Sequence, residues 1–241
     1  MDTFDQYLAL LSMGPFQLDE FQEMFNRITI NETSFFRNEP QLDIFEKRIL
    51  PELLEARKST KRLRIWSAAC STGEEPYTLA ILVHRTLGVR LADWRVEILG
   101  TDISERAVDF AVEGKYTDYA MRSTHASVRE RYFKHEGPYW LLSDQIKPMV
   151  NFEVQNLKDR LAAKRHGTWD IIFCRNVMIY FDDQMKVQVL NTFADQLAAD
   201  GTLFIGHSET IRTGEAPFAS LPISAGFCYQ KTGKPSAVKA A

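Results

Sequence analysis

Cysteine is scarce in this 241-residue chain: Cys70, Cys174 and Cys228 are the only three, and none lies in a Cys-x-x-Cys pair. That excludes a disulfide framework and points to reduced thiols in a cytoplasmic protein. The five histidines, His84, His125, His135, His166 and His207, show no metal-ligand spacing among themselves or with the cysteines, so no metal is expected. No apolar run approaches the roughly 20 residues of a membrane span. The opening MDTFDQYLALLS has neither a basic n-region nor a small-residue cleavage site, so it does not read as a signal peptide. Charge of one sign is also missing. With 29 basic and 32 acidic residues the net charge is −3, and no global basic field exists to recruit nucleic acid or an anionic membrane. Internal repeats and low-complexity blocks are absent too.

What remains is an ordinary globular composition, 45% hydrophobic and 25% charged. Apolar residues at helical spacing predict two short helices over 2–12 and 17–27, separated by MGP. A longer helix is expected from Pro40 to Arg57, interrupted at Pro51. The pattern then changes to alternating strands and helices. Strands are expected at 62–69, 96–104, 169–176, 202–209 and 223–231. Helices are expected at 77–88, at 104–114 with Ser104 as N-cap and Gly114 at its end, and at 182–201 closed by Gly201. Alternation of this kind means an α/β fold with a mostly parallel sheet. Residues 115–155 break the rhythm. The runs RYFK, YWLL, IKPMV and NFEV, with turn signals between them, predict a small antiparallel sheet inserted at about 131–155, outside the main core and available for docking. The chain therefore divides into a helical segment and linker (1–37), a main domain (38–231) and a frayed tail (232–241).

Three places concentrate chemistry. WSAACSTGEEPYT lies at the carboxyl end of the first strand, where open α/β sheets bind ligands. Its small residues, Ser67, Ala68, Ala69, Ser71 and Gly73, allow close approach to the backbone. The spacing is not GxGxxG, and Glu74 and Glu75 would repel a pyrophosphate. They suit a cation or zwitterion such as S-adenosylmethionine, or simply the positive end of a helix. Asp102, ending the second strand, can accept two hydrogen bonds from a ribose diol. IIFCRNVMIYFDD ends a buried strand in Arg175 and Asn176, with Tyr180 one turn on, and such polar groups need partners. No Asp-Pro-Pro-Tyr element of the nucleic-acid amino-methyltransferases is present. Cys70 and Cys174 flank this crevice as buried thiols, and His207 lies at a strand end beside it.

Taken together, NETSFFR, WSAACSTGEEPYTLA, TDIS, QNL, FCRNVMIYFD and GHSE resemble the chemotaxis receptor methyltransferases, the CheR family of protein-glutamate O-methyltransferases, from about Asn31 to Tyr229. The resemblance implies a Rossmann-like S-adenosylmethionine-dependent methyltransferase fold. Asn31, Thr33 and Arg37 would contact the cofactor, on a segment pinned by Phe35 and Phe36. Ala68 would also touch the cofactor. Glu75 would hold its methionyl end, Asp102 would take its ribose, and Asn156 and Leu157 would border its adenine. Arg175 and Asn176 would close the crevice. Arg37 and Tyr180 would be the catalytic pair. The product would be S-adenosyl-L-homocysteine, and the partner the cytoplasmic signalling domain of chemoreceptors. A monomer without nucleic acid or membrane insertion is expected.

Two departures from the family pattern stand out. The thirty residues before Asn31 are few and acidic, with Asp2, Asp5, Asp19, Glu20 and Glu23 against Arg27. This implies either a shortened chain or a different way of docking substrate. KHEGPYWLL is short for the loop that captures a receptor's C-terminal pentapeptide, so independence of that peptide is expected. Two other readings compete. A small-molecule O-methyltransferase needs a lid and a closed apolar pocket. A non-catalytic cofactor-binding adaptor would keep Glu75 and Asp102 but could dispense with Arg37 and Tyr180.

Overall fold

A computed structural model describes residues 3–13, 17–28, 32–212 and 214–232. The expected frayed tail lies outside these residues from position 233 onward. Helices α1 (Phe4–Met13) and α2 (Gln17–Ile28) open the chain. Then α3 (Glu39–Ile44) and α4 (Leu50–Ala56) form one rod joined by a π turn, Phe45–Ile49. Pro51 was expected to interrupt this rod. The π turn absorbs it: the Leu50 N–H reaches back five residues to the Phe45 carbonyl, and Pro51, with no N–H to offer, falls in the first turn of α4.

Next come β1 (Arg62–Ala68), α5 (Glu74–Leu87), β2 (Arg95–Asp102) and α6 (Glu105–Glu113). Ser104 caps α6 by accepting from the Ala107 N–H, and Gly114 ends it at φ 64°, both as the sequence indicates. The excursion that follows holds β3 (Lys115–Tyr116), α7 (Ala126–Tyr132), β4 (Phe133–Glu136) and β5 (Tyr139–Leu142). Then β6 (Val150–Val154), α8 (Arg160–Arg165), β7 (Trp169–Cys174), α9 (Asp183–Gln196), β8 (Leu197–Ile205), β9 (Phe218–Ser220) and β10 (Cys228–Lys231) complete the order.

The main sheet runs β6-β2-β1-β7-β8-β10-β9, parallel from β6 to β8, with β10 and β9 antiparallel at one edge. Both faces are covered, so the central strands are apolar on both sides. Leu63, Ile65, Ile171, Phe173 and Phe204 enter one core with α3, α4 and α5. Trp66, Ala68, Ile172, Cys174, Leu203 and Ile205 enter the other with α9. Among the described residues no helix is long and apolar enough to cross a membrane.

Three expectations need correction. Val150–Val154 does not join the inserted sheet; it pairs in parallel with Ile98–Asp102 of β2, and the small sheet is instead β3-β5-β4. Nor does the excursion stand apart from the core. Tyr116, Tyr132, Phe133 and Leu142 are buried in the same cluster as Phe35 and Tyr77. Finally, α9 ends at Gln196, not Gly201. Leu197 already pairs with Trp169, and Gly201 lies within β8, where a Cβ would come 2.8 Å from the Asp170 carbonyl.

Candidate active site

The strand order changes direction between β1 and β7: β2 and β6 lie outward from one, β8 from the other. A crevice at the carboxyl ends of strands is expected at such a switch point. A cavity of about 450 Å³ occupies it, its floor formed by Ala69–Ser71 after β1, Asp102 and Ile103 at the end of β2, residues 155–157 after β6, and Arg175 and Asn176 after β7.

The turn after β1 is tightly wound. Ala69, Ser71 and Gly73 have φ values of 60°, 50° and 91°. At Gly73 a side chain is impossible for a second reason, since a Cβ would sit 2.7 Å from that of Ala111. Asp102 holds the turn: its Oδ2 accepts from the Ser71 N–H at 2.8 Å and its Oδ1 from the Ser104 N–H at 3.0 Å. A carboxylate has about four lone-pair sites, so two remain for a ligand hydroxyl pair. Burial pushes the Asp102 carboxyl above its ordinary range, opposed by those backbone donors.

Glu75 starts α5 and lies at the switch point itself. Its Oε1 accepts from the Ser67 hydroxyl at 2.7 Å and its Oε2 is 3.3 Å from Arg175 Nη1. Burial raises the Glu75 carboxyl, against the pull of Arg175 and the Ser67 hydroxyl, and burial lowers Arg175. Both shifts disfavour charge, as expected of ions taken out of water. The Arg175 Nε is buried with no partner. The Gln155 amide, also at the cavity wall, is likewise sealed without a partner at either atom.

The segment 32–37 roofs the cavity, with Glu32, Thr33, Ser34 and Arg37 facing it. Phe35 and Phe36 peg it into the core: Phe35 meets Tyr116 and Phe133 edge-on at 4.7 and 4.9 Å. Phe36 stands at φ 55° and Asn38 at φ 65°, an unfavourable conformation for a bulky residue such as phenylalanine that brackets Arg37. Arg122 donates to the Glu32 carboxylate at 2.6 Å and to the Thr33 carbonyl at 3.1 Å, and the Tyr119 hydroxyl reaches Glu32 at 2.9 Å. Arg37 Nη1 donates to the Glu32 carbonyl at 2.8 Å, while Arg175 Nη2 donates to the Arg37 carbonyl at 2.7 Å and ties roof to floor.

Of the residues singled out in the sequence, Thr33, Arg37, Glu75, Asp102, Asn156, Leu157, Arg175, Asn176 and Tyr180 all line this one cavity. Tyr180 is 61% exposed and stands at the rim. Asn31 lies outside the described residues. Ala68 is fully buried in the core; the lining residue is Ala69, because side chains alternate along β1 and the left-handed turn begins one residue later. His207 is exposed and does not line the cavity. Burial raises the thiols of Cys70 and Cys174 well above their usual range and that of Cys228 to about 11, which makes them inert at neutral pH. Among the described residues no cluster could hold a metal ion. One residue escaped sequence reasoning. Glu209, two positions beyond His207, carries its carboxylate to the loop that holds Asn176. The signal was GHSE itself, from which His207 was considered and its closing acid was not.

Comparison with known proteins gives a consistent picture. The family described as "CheR methyltransferase, SAM binding domain" matches residues 31–227. A chemotaxis protein methyltransferase of Listeria innocua is 39% identical over 87% of this chain and 75% of its own. A probable chemotaxis protein methyltransferase of Rhizobium etli is 36% identical over 90% of this chain and 80% of its own. Among solved structures, a TehB-like SAM-dependent methyltransferase from Corynebacterium glutamicum aligns over 78% of this chain and 87% of its own. Its TM-score is 0.41 at 16% identity, too distant a likeness to bear on function.

Proposed function

The chain belongs to the CheR methyltransferase family, and from that premise we propose that it is a protein-glutamate O-methyltransferase acting on the cytoplasmic signalling domains of chemoreceptors. Membership makes it an S-adenosylmethionine-dependent methyltransferase; the glutamate acceptor, the receptor partner and a cytoplasmic location are the finer reading. The observation that carries it is the convergence on one cavity of an acidic floor, Glu75 and Asp102, and a rim with Arg37 and the exposed Tyr180.

The donor set fits S-adenosylmethionine. Glu75 offers a buried carboxylate to an ammonium, Asp102 offers free lone pairs to the ribose diol, and Asn156 and Leu157 border the adenine. Thr33, Arg37, Arg175 and Asn176 close around them, and Asn31 precedes Thr33 on the same segment. When bound, the cofactor supplies an electrophilic methyl group.

The protein's own residues have little proton chemistry to do. A glutamate side chain is ionised at neutral pH, with a reference pKa of about 4.3, so no general base is needed. Arg37 uses one donor on the Glu32 carbonyl, out of the five N–H groups a guanidinium carries. The remainder of its fork receives the substrate carboxylate, keeps it ionised in a drier site and aims one oxygen at the methyl. Tyr180 orients the same group from the rim. Catalysis here is placement and desolvation. The cofactor would supply the methyl that esterifies this carboxylate oxygen and would leave as S-adenosylhomocysteine. One negative charge is removed from the receptor, and its helix bundle repels itself less.

Arg37→Ala is expected to cut methyl transfer to a receptor fragment by at least about tenfold, or 1.4 kcal/mol, with cofactor binding retained. Transfer that survives within about threefold removes Arg37 from the role. With labelled cofactor, base-labile label on the receptor supports this reading. Label in a small molecule, or binding without transfer, supports a small-molecule methyltransferase or an adaptor instead. The turn between β4 and β5 is only Gly137 and Pro138, since Glu136 pairs with Tyr139. So short a turn supports docking that does not use a receptor's C-terminal pentapeptide. Calorimetry is expected to show no micromolar binding of such a peptide, and a micromolar affinity would reverse that conclusion.

A further inference from the structure

Arg175, Asn176, Val177 and Tyr180 all reach the cavity from the short loop after β7 and the turn Met178–Tyr180 that closes it. Its backbone is unusual. Asn176 is left-handed at φ 60°, and three successive N–H groups, those of Asn176, Val177 and Met178, point away from the cavity. All three converge on Glu209. Its Oε2 accepts from the Asn176 N–H at 2.9 Å, and its Oε1 from those of Val177 and Met178 at 3.1 and 2.8 Å. A fourth donor, the Gly206 N–H, reaches Oε2 at 2.6 Å. The side chain comes from beyond β8, the strand next to β7, and Glu209 is 5% exposed.

Four backbone donors on one buried carboxylate are more than packing requires. Successive N–H groups of a left-handed turn form a nest for an anion, and here the anion is supplied by the chain itself. The two oxygens of a carboxylate offer about four acceptor sites, enough for all four donors, and N–H bonds to a carboxylate are roughly twice as strong as neutral ones. Gly206 belongs to the same device. A Cβ there would stand 2.7 Å from Glu209 Oε2 and 2.9 Å from the Asn176 nitrogen. Glu209 itself does not line the cavity.

We propose that Glu209 is a positioning residue for methyl transfer: by gathering these N–H groups it fixes the loop that delivers Arg175, Asn176 and Tyr180 to the reacting centre. This rests on the methyltransferase reading above and deepens it. Glu75 stands on α5 and Asp102 at the end of β2, so the cofactor keeps most of its contacts when the loop slackens. The geometry of Tyr180, and of Arg37 through its carbonyl bond to Arg175, does not survive.

The test is Glu209→Gln in the full chain. One face of the amide is a donor and would confront two N–H groups. The turnover number for receptor methylation is expected to fall about 10- to 100-fold, while the dissociation constant for adenosylhomocysteine rises less than about fivefold. Gly206→Ala, which crowds the carboxylate without removing it, is expected to move both quantities in the same sense by less. Leu54→Ala, a buried truncation on α4 in the core on the other face of the sheet from Met178, serves as a control for lost stability and should leave the turnover number unchanged well below its melting temperature. The proposal is overturned if Glu209→Gln keeps turnover within about threefold of wild type, or if Leu54→Ala matches its loss. Wild type is assayed first. If it puts no methyl on the receptor fragment, the functional reading fails by itself. Glu209 is then judged by NMR of the adenosylhomocysteine complex. The amide protons of Asn176, Val177 and Met178 should move upfield and exchange faster in Glu209→Gln, and unchanged shifts and exchange rates overturn its role.

Discussion

The two ends of the main sheet use the same residue types to opposite effect. At the amino ends, charges are matched and forked. Arg64 donates to both oxygens of Glu97 at 2.8 and 2.6 Å and lies 4.0 Å over the Trp169 ring. Arg57 forks onto Asp200 at 2.8 and 2.6 Å and reaches Asp170 at 2.9 Å. These hydrogen bonds hold Glu97 and Asp200 below the usual carboxylate range. At the carboxyl ends, burial pushes Glu75 and Asp102 above it, because backbone groups, a hydroxyl and one long contact to Arg175 do not offset their loss of water. One end contributes stability. The other end keeps carboxylates short of partners, a free-energy cost that the proposed cationic, diol-bearing ligand would relieve.

The sharpest way to break this comparison is Arg64→Ala. It strands the Thr168 carbonyl and the Trp169 face and leaves Glu97 only Arg62, at 3.6 Å, and is expected to cost about 2–3 kcal/mol in urea unfolding. A loss under about 1 kcal/mol would mean that the amino end is surface decoration. Next is Glu75→Gln, which keeps an acceptor for Ser67 but removes the charge. Affinity for adenosylhomocysteine should fall about 10- to 100-fold, or 1.4–2.7 kcal/mol, with a smaller change in unfolding free energy than for Arg64→Ala. Should stability suffer more than binding, Glu75 is structural after all.

The smallest effect is one of slope. An acid raised in the folded state binds its proton more tightly there than when unfolded. Its contribution to stability therefore falls as pH rises from the ordinary aspartate value of 3.8 through the raised one. Glu97 and Asp200 do the reverse: their contribution is present above the ordinary range and is lost as pH falls through their lowered values. Asp102→Asn should flatten the upper part of the ligand-free stability curve and leave the acid limb untouched. Denaturation midpoints across pH 3–8 would show it, and an altered acid limb would contradict the assignment.

The parts of this molecule that could be read from its sequence are those where one strong force decides. Strands such as WDIIFC are apolar on both faces because both faces are covered, and their polar successors had to lie at the carboxyl edge. Hence the gathering of Glu75, Asp102 and Asn176 was foreseeable. Choices between equal partners were not. VNFEV satisfies an edge of either sheet, and only its pairing with β2 settles the matter. Ala198 and Ala199 suit a helix, yet α9 stops at Gln196 because Leu197 has Trp169 to pair with. Ala68 and Ala69 differ only in which way they face. Glu209 was hidden because its partners are backbone N–H groups, which leave no mark in side-chain identity.

The π turn at Phe45–Ile49 has an evolutionary corollary. Such a turn is one residue more than an α-helix needs, so losing a single codon there would restore regular winding without touching any other side chain. Because the wide turn takes up that residue locally, the half-rod ahead of it would keep its facing. Gln41, whose amide donates to the carbonyls of Ile205 and Gly226 at 2.9 and 2.8 Å, would stay in place, and so would the stretch leading into Asn38. Homologues that lack this extra residue should therefore still carry a glutamine at the position of Gln41.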